Sequence, residues 1–204
     1  MKTKPTSEKV LFKIIHRGRG SVFFGSEFLS VGRPEAVRQA LSRLARSGTI
    51  QRIGSSLYYY PSINDKLGGK LPPSATTIAQ AIGKRTNSKI VPTGALSANL
   101  LGLSTQVPAK RTYLTDGPSR NMTVGSYVFK FKHVSPRRMA VKNHISSLVF
   151  EALRFFKRES MAELMVPRLK QSLPNNAKAQ LLRDSRYAPL WMRSLLEQIV
   201  KVRK

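Results

Sequence analysis

Apolar residues recur at helical spacing through the first part of the chain. Val10, Leu11, Ile14 and Ile15 fall on one face behind Ser7 as a cap, with Gly18 and Gly20 after the end, which predicts a first helix. A short apolar run, Val22 to Phe24, precedes Ser26, which can cap a brief helix carrying Phe28 and Leu29 before a turn at Val31 and Gly32. Pro34 suits a first helical position, and Val37, Ala40, Leu41 and Leu44 form the next buried stripe, ended by Gly48. Alternation then replaces the helical period. Thr49 to Ile53 and Leu57 to Tyr60 predict two strands across the turn Gly54, Ser55, Ser56.

After Pro61 the pattern lapses. Asn64 to Pro73 is rich in lysine, glycine and proline and poor in apolar residues, so residues 62–73 read as a linker between a domain at 1–61 and another at 74–204. Beyond it Ser74 can cap a helix burying Ile78, Ala81 and Ile82. Ile90 and Val91 suggest a strand, and Thr93 caps a helix through Leu96, Leu100 and Leu101 to Gly102. Lys110 to Thr115 reads as a strand, Asp116 to Pro118 as a turn, and Met122 to Val124 pairs with Tyr127 to Lys132 across Gly125 and Ser126. From Asn143 the chain turns helical, with Ile145, Leu148, Val149, Ala152, Leu153 and Phe156 in a regular stripe and Trp191 as a packing residue. Ser160 and Glu163 have capping-box spacing, Pro167 and Pro174 can each open a helix, and Leu190, Leu195, Leu196 and Ile199 predict a last amphipathic one. The fold class expected is therefore α+β, with a mixed second domain ending in several helices.

The order helix, short helix, arginine-rich helix, hairpin in the first domain is that of a winged helix-turn-helix. Double-stranded DNA is the partner this implies, because the major groove admits one helix and short polar side chains near its start reach base edges. Arg33, Arg38, Gln39 and Ser42 are the candidates for the groove. Arg43, Arg46, Arg52, Ser55 and Ser56 suit phosphate oxygens, which position a protein without reading sequence. Glu35 on the same outer face opposes this, since a carboxylate near phosphate is repelled.

Charge strengthens the nucleic-acid reading and spreads it. The 204 residues include 36 lysines and arginines against 10 acids, a formal charge of +26 that attracts any polyanion at moderate salt. Residues 1–60 hold 11 basic and 3 acidic residues, leaving 25 and 7 for the remainder, so the second domain is the more basic one. Its clusters, Lys84 with Arg85, Lys110 with Arg111, Arg137 with Arg138 and Lys142, and Arg154 with Lys157 and Arg158, either extend a DNA contact or meet an acidic protein. No apolar stretch approaches the length of a membrane span and residues 1–6 lack the core of a secretory signal, so the expected location is the cytoplasm.

Catalytic chemistry finds little to work with. Cysteine is absent, His16, His133 and His144 lack metal-ligand spacing, and Asp116 is the sole acid from Ser74 to Lys142. No phosphate-binding GKS or GKT sequence and no GxSxG elbow occurs. The expectation is a protein without catalytic residues, cofactor or metal. The rival is a metal-dependent nuclease in which Asp116, ordinarily a turn residue, joins Glu151 or Glu163 in the fold.

Three segments, RPEAVRQALSRLARSGTIQRIGSSLYYYP, PTGALSANLLGLSTQVPAKRTYLTDGPSR and the late APLWM, resemble AbiEi-type antitoxins over nearly the whole chain. NLLGLSTQVPAK together with YLTDGPSR carries the most specific part of the resemblance. It implies a winged-helix domain joined to an antitoxin domain, repression of its own promoter at an inverted repeat, on which a homodimer would sit, and action against an AbiEii-like toxin of nucleotidyltransferase type, with or without direct contact. It assigns no catalytic residues. A chain lacking a toxin, serving as a stand-alone nucleic-acid-binding regulator or plasmid-maintenance factor, is the alternative.

Overall fold

A computed structural model describes the backbone of residues 5–108, 110–158 and 161–201. It is mixed α+β and divides into two compact units, Met1–Asn87 with Thr123–Tyr127, and Ser88–Met122 with Val128–Lys204.

In the first unit α1 (Thr6–Arg17) buries Val10 and Ile14, and Gly18 follows it with a positive φ of 79°. Ser7 lies inside this helix rather than capping it, and the first amide bonds run instead to the carbonyl of Pro5. Strand β1 (Val22–Phe24) leads into a 3-10 helix, Gly25–Val31, in which Phe28 is buried and Leu29 is exposed. Here too the cap differs from the expectation. The amide of Phe24 donates to Glu27 Oε1 at 2.8 Å, a stronger, charge-assisted bond than the one assigned to Ser26.

Helix α2 (Pro34–Arg46) follows, then β2 (Gln51–Gly54) and β3 (Leu57–Tyr59). Both strands are shorter than expected, and the turn is Ser55–Ser56. The apolar run at Val22 is a true strand: β1 and β2 each pair antiparallel with β3, giving the sheet order β1-β3-β2. Phe23, Phe28, Val37, Ala40, Leu41, Ile50 and Tyr58 close the core with α1, and Phe23 meets Phe28 edge-on at 5.2 Å.

Residues 62–73 are built rather than bare. β4 (Ser62–Asn64) and β5 (Gly69–Leu71) form a small antiparallel hairpin, and Lys70 Nζ donates to the carbonyl of Gly48 at 2.6 Å. The helix expected to open the second domain, α3 (Ala75–Arg85), belongs to the first unit. It is capped by Ser74, whose hydroxyl accepts from the Thr77 amide at 3.1 Å. Its end reaches back to the first elements: Lys84 Nζ lies 3.2 Å from Glu27, and the Arg85 guanidinium sits 4.3 Å from the centre of the Phe24 ring.

The second unit carries most of a four-stranded sheet of order β6-β7-β9-β8, with β6 (Ile90–Pro92), β7 (Arg111–Thr115), β8 (Arg120–Val124) and β9 (Tyr127–His133). β8 and β9 meet across Gly125 and Ser126 as expected, but β9 also runs parallel to β7, in register Tyr113 with Phe131. Tyr113, Phe129 and Phe131 stack on one face. Helices α4 (Gly94–Leu100) and α5 (His144–Arg158) pack together, and α6 (Val166–Ser172), α7 (Asn175–Asp184) and α8 (Leu190–Val200) complete an apolar helical core around Leu153, Leu169, Leu181 and Leu196.

The proline expectations hold, with Pro167 in the first turn of α6 and Pro174 as the residue before α7. Ser160, half of the expected capping box, lies outside the described residues. Trp191 packs against the helical core with Lys157 Nζ 5.2 Å from its ring. Among the described residues no helix is long and apolar enough to cross a membrane.

Candidate nucleic-acid interface

Burial decides which side of α2 is free. With Val37, Ala40 and Leu41 turned into the core, Arg38, Gln39, Ser42 and Arg46 stand on the outer stripe, four residues apart or nearly so. Across from them the β2–β3 hairpin supplies Arg52, Ser55 and Ser56. Together these residues line a groove of about 670 Å³ whose floor is Ala45 and Tyr58.

Seven of the nine sequence-derived candidates therefore converge. Arg33, as the residue before α2, and Arg43, about 100° round the helix from Ser42, are exposed but outside the groove. Of the four residues assigned from sequence to base reading, Arg38, Gln39 and Ser42 sit together in the groove and Arg33 does not. Glu35 is exposed and does not line it.

The hairpin is brought to the helix by local backbone chemistry. Its register shifts between Arg52 and Gly54, and Ser56 takes a positive φ of 56°, which tightens the Ser55–Ser56 turn. The amide of Gly25 donates to the carbonyl of Ser56 at 2.9 Å. A Cβ on Gly25 would lie 3.2 Å from Ser56 Oγ and 3.3 Å from Leu41 Cδ1, so glycine is what lets the turn approach the helix this closely. Arg52 Nε donates to the carbonyl of Gly54 at 3.3 Å, holding that guanidinium on the hairpin.

The electrostatics have one sign. Among the described residues three arginines and no carboxylate line the groove, so its field favours an anion. The acid of the preceding helix is committed elsewhere: Glu27 accepts from Phe24 and lies 3.0 Å from Arg17 and 3.2 Å from Lys84. Burial opposes its ionisation, but the Phe24 amide and the two cations outweigh burial and hold its carboxyl below the usual range. Sequence reading missed this clamp, because its partners are spread from Arg17 to Lys84. It also missed Tyr58, which is buried and stacked on Phe23 at 6.3 Å, since alternation in Leu57–Tyr59 does not reveal which face meets the groove.

Two of the three acids considered for a metal site, Asp116 and Glu151, are engaged otherwise. Asp116 Oδ1 accepts from the Lys89 amide at 2.8 Å, while the adjoining turn is held by the Thr115 hydroxyl accepting from Gly117. Glu151 is buried and bonded to Arg138 at 3.0 and 2.6 Å. Among the described residues no three histidines or carboxylates come together as a metal site.

Residues 9–181 match the DUF6088 family, described as a family of unknown function. No curated protein and no solved structure matches the chain.

Proposed function

We propose that this chain, which belongs to the DUF6088 family, is a DNA-binding transcriptional regulator whose first unit is a winged helix-turn-helix, with α2 as the reading helix and β2–β3 as the wing. The observation that carries the reading is the groove between helix and hairpin, lined by no acid among the described residues, in which Arg38, Arg46 and Arg52 alternate with Gln39, Ser42, Ser55 and Ser56. Arginine pairs with guanine or with phosphate, glutamine with adenine, and serine hydroxyls serve either role. Helix α2 has 13 residues, a length of about 20 Å that spans a major groove. Gln39 and Arg38 read bases in this scheme, while Arg46, Arg52 and the hairpin serines hold the backbone. Arg33 and Arg43 reach flanking phosphates.

The resemblance of the second unit to AbiEi-type antitoxins supports a more specific role. The protein represses its own promoter at an inverted repeat, one copy per half-site, and counteracts a nucleotidyltransferase-like toxin in the bacterial cytoplasm. Footprinting of the DNA upstream of its own gene at physiological salt tests the first part. A bounded, two-fold symmetric footprint is expected, and uniform protection of unrelated DNA would refute sequence-selective repression. Co-expression with a neighbouring nucleotidyltransferase gene tests the second, with restored growth expected. No rescue would leave a stand-alone regulator.

A further inference from the structure

We propose that the outer face of α1 is a self-association surface, on which a second copy of this chain docks with its own α1 running antiparallel. Val10 and Ile14 turn into the core, whereas Phe12 and Ile15 are 61% and 53% exposed. Between α1 and the end of the 3-10 helix lies a groove of about 600 Å³, whose apolar lining among the described residues is Leu11, Phe12, Ile15 and Val31. This surface shares no residue with the α2 groove and stands whatever that groove binds.

The shape of the surface is self-complementary. A Cβ on Gly32 would lie 2.5 Å from Thr6 Cγ2, so the chain leaving the 3-10 helix is pressed against the start of α1. Lys13 Nζ donates to Ser30 Oγ at 2.9 Å across the same junction. The hollow therefore has walls set before anything binds, which lowers the cost of filling it. Phe12 stands at its side as an exposed ring, stacked on His16 with 4.4 Å between ring centres. Ring and hollow on one face are what a two-fold pair requires, because each copy then inserts its own Phe12 into the hollow of the other. A bilayer, fluid and flat, gives the hollow nothing to receive.

The charges fit the same arrangement. Glu8 lies in the first turn of α1 and lines the groove, while His16 and Arg17 occupy the last turn. An antiparallel pair crossing near Phe12, the middle of this 12-residue helix, sets each Glu8 against the basic end of the other copy, once on each side of the axis. A parallel pair would oppose acid to acid. Glu8 likewise repels the anionic headgroups to which a basic helix with exposed apolar residues would otherwise be drawn. The formal charge of +26 on each copy opposes the pair at low salt, and screening relieves it.

Sedimentation velocity on the full chain, at about 1–100 µM and about 300 mM salt, tests the proposal without any DNA present. A monomer–dimer equilibrium is expected. Phe12→Asp and Ile15→Asp should each raise the dimer Kd at least about 30-fold, since each change acts twice across a two-fold axis. Glu8→Gln should raise it about threefold, the loss of two exposed ion pairs. Leu190→Asp, at a position 79% exposed in the second unit, should leave it unchanged, and thermal melting establishes that each variant is folded. Because the chain has no cysteine, Phe12→Cys supplies a single thiol that a short bis-maleimide should link between two copies, whereas Leu190→Cys should stay unlinked under the same conditions. Flotation with phosphatidylglycerol–phosphatidylcholine vesicles is the rival arm. A monomer throughout the range, a dimer indifferent to both Phe12→Asp and Ile15→Asp, or Phe12-dependent vesicle binding without self-association would overturn the proposal, and each of these results would leave the reading of the α2 groove untouched.

Discussion

Replacing Arg46 by glutamine removes one of three guanidinium groups from the α2 groove without touching the core, since the side chain is exposed on the last turn of the helix. If Arg46 neutralises a DNA phosphate, the slope of log affinity against log salt concentration changes by about 0.9 per copy bound. Two such contacts from Arg46 and Arg52 give a slope of about −1.8, and one gives about −0.9. Between about 50 and 200 mM salt, the fourfold change costs the unaltered groove about 12-fold in affinity and the variant about 3.5-fold. Contacts made by Arg33, Arg43 or the second unit add equally to both slopes and cancel in the difference. Fluorescence anisotropy with a labelled duplex over that salt range measures it. A variant whose affinity falls at every salt concentration with no change of slope would refute the phosphate assignment, as would a variant identical to the parent. Gln39→Ala serves as the contrast. It should leave the slope alone and flatten the ranking of operator variants, by about 1–3 kcal/mol at the base concerned.

Three further outcomes follow from the packing. Glu27→Gln keeps an acceptor for the Phe24 amide but loses the charge facing Arg17 and Lys84, so thermal melting near neutral pH should show a loss of about 1 kcal/mol. Because the folded carboxyl titrates below its ordinary value, that stabilisation is present above the unfolded value and lost as pH falls through the folded one; the two proteins should therefore converge in acid, and a difference that persists there would refute the clamp. Gly94→Ala forces a Cβ against Phe155 and the Glu151 backbone and should cost about 1–3 kcal/mol by denaturant titration, so a neutral result would mean that α4 can lift from α5. Ser74→Ala removes the cap of α3 and should cost about 1 kcal/mol, whereas Ser7→Ala, inside α1, should cost almost nothing.

The helices and the hairpin of the first unit were legible because their determinants are local. The stripe Val37, Ala40, Leu41 forces Arg38, Gln39 and Ser42 outward whatever surrounds them, and Pro34 and Gly48 bound the element. The errors fall where a non-local partner decides. Val22–Phe24 becomes a strand only because Leu57–Tyr59 offers it an edge, and α3 joins the first unit through contacts with residues some 60 positions earlier, invisible to periodicity. The parallel pairing of β7 with β9 was hidden for the same reason, as an intervening strand, β8, is the nearer neighbour in sequence. Glu151 lay within a helical stripe and Arg138 in a loop 13 positions away, so no spacing rule joined them.

The strand order β6-β7-β9-β8 leaves β6 and β8 as the outer strands of their sheet. β6 ends in Pro92, which has no amide hydrogen to offer, and β8 begins with Arg120 and Asn121. The end of the β6 rim is a poor template for strand addition, because Pro92 offers no amide donor there. A basic protein that concentrates along a polyanion brings many copies of itself close together. Under the proposed DNA-binding role, a rim that refuses a further strand at its end works against aggregation where copies crowd along the polyanion.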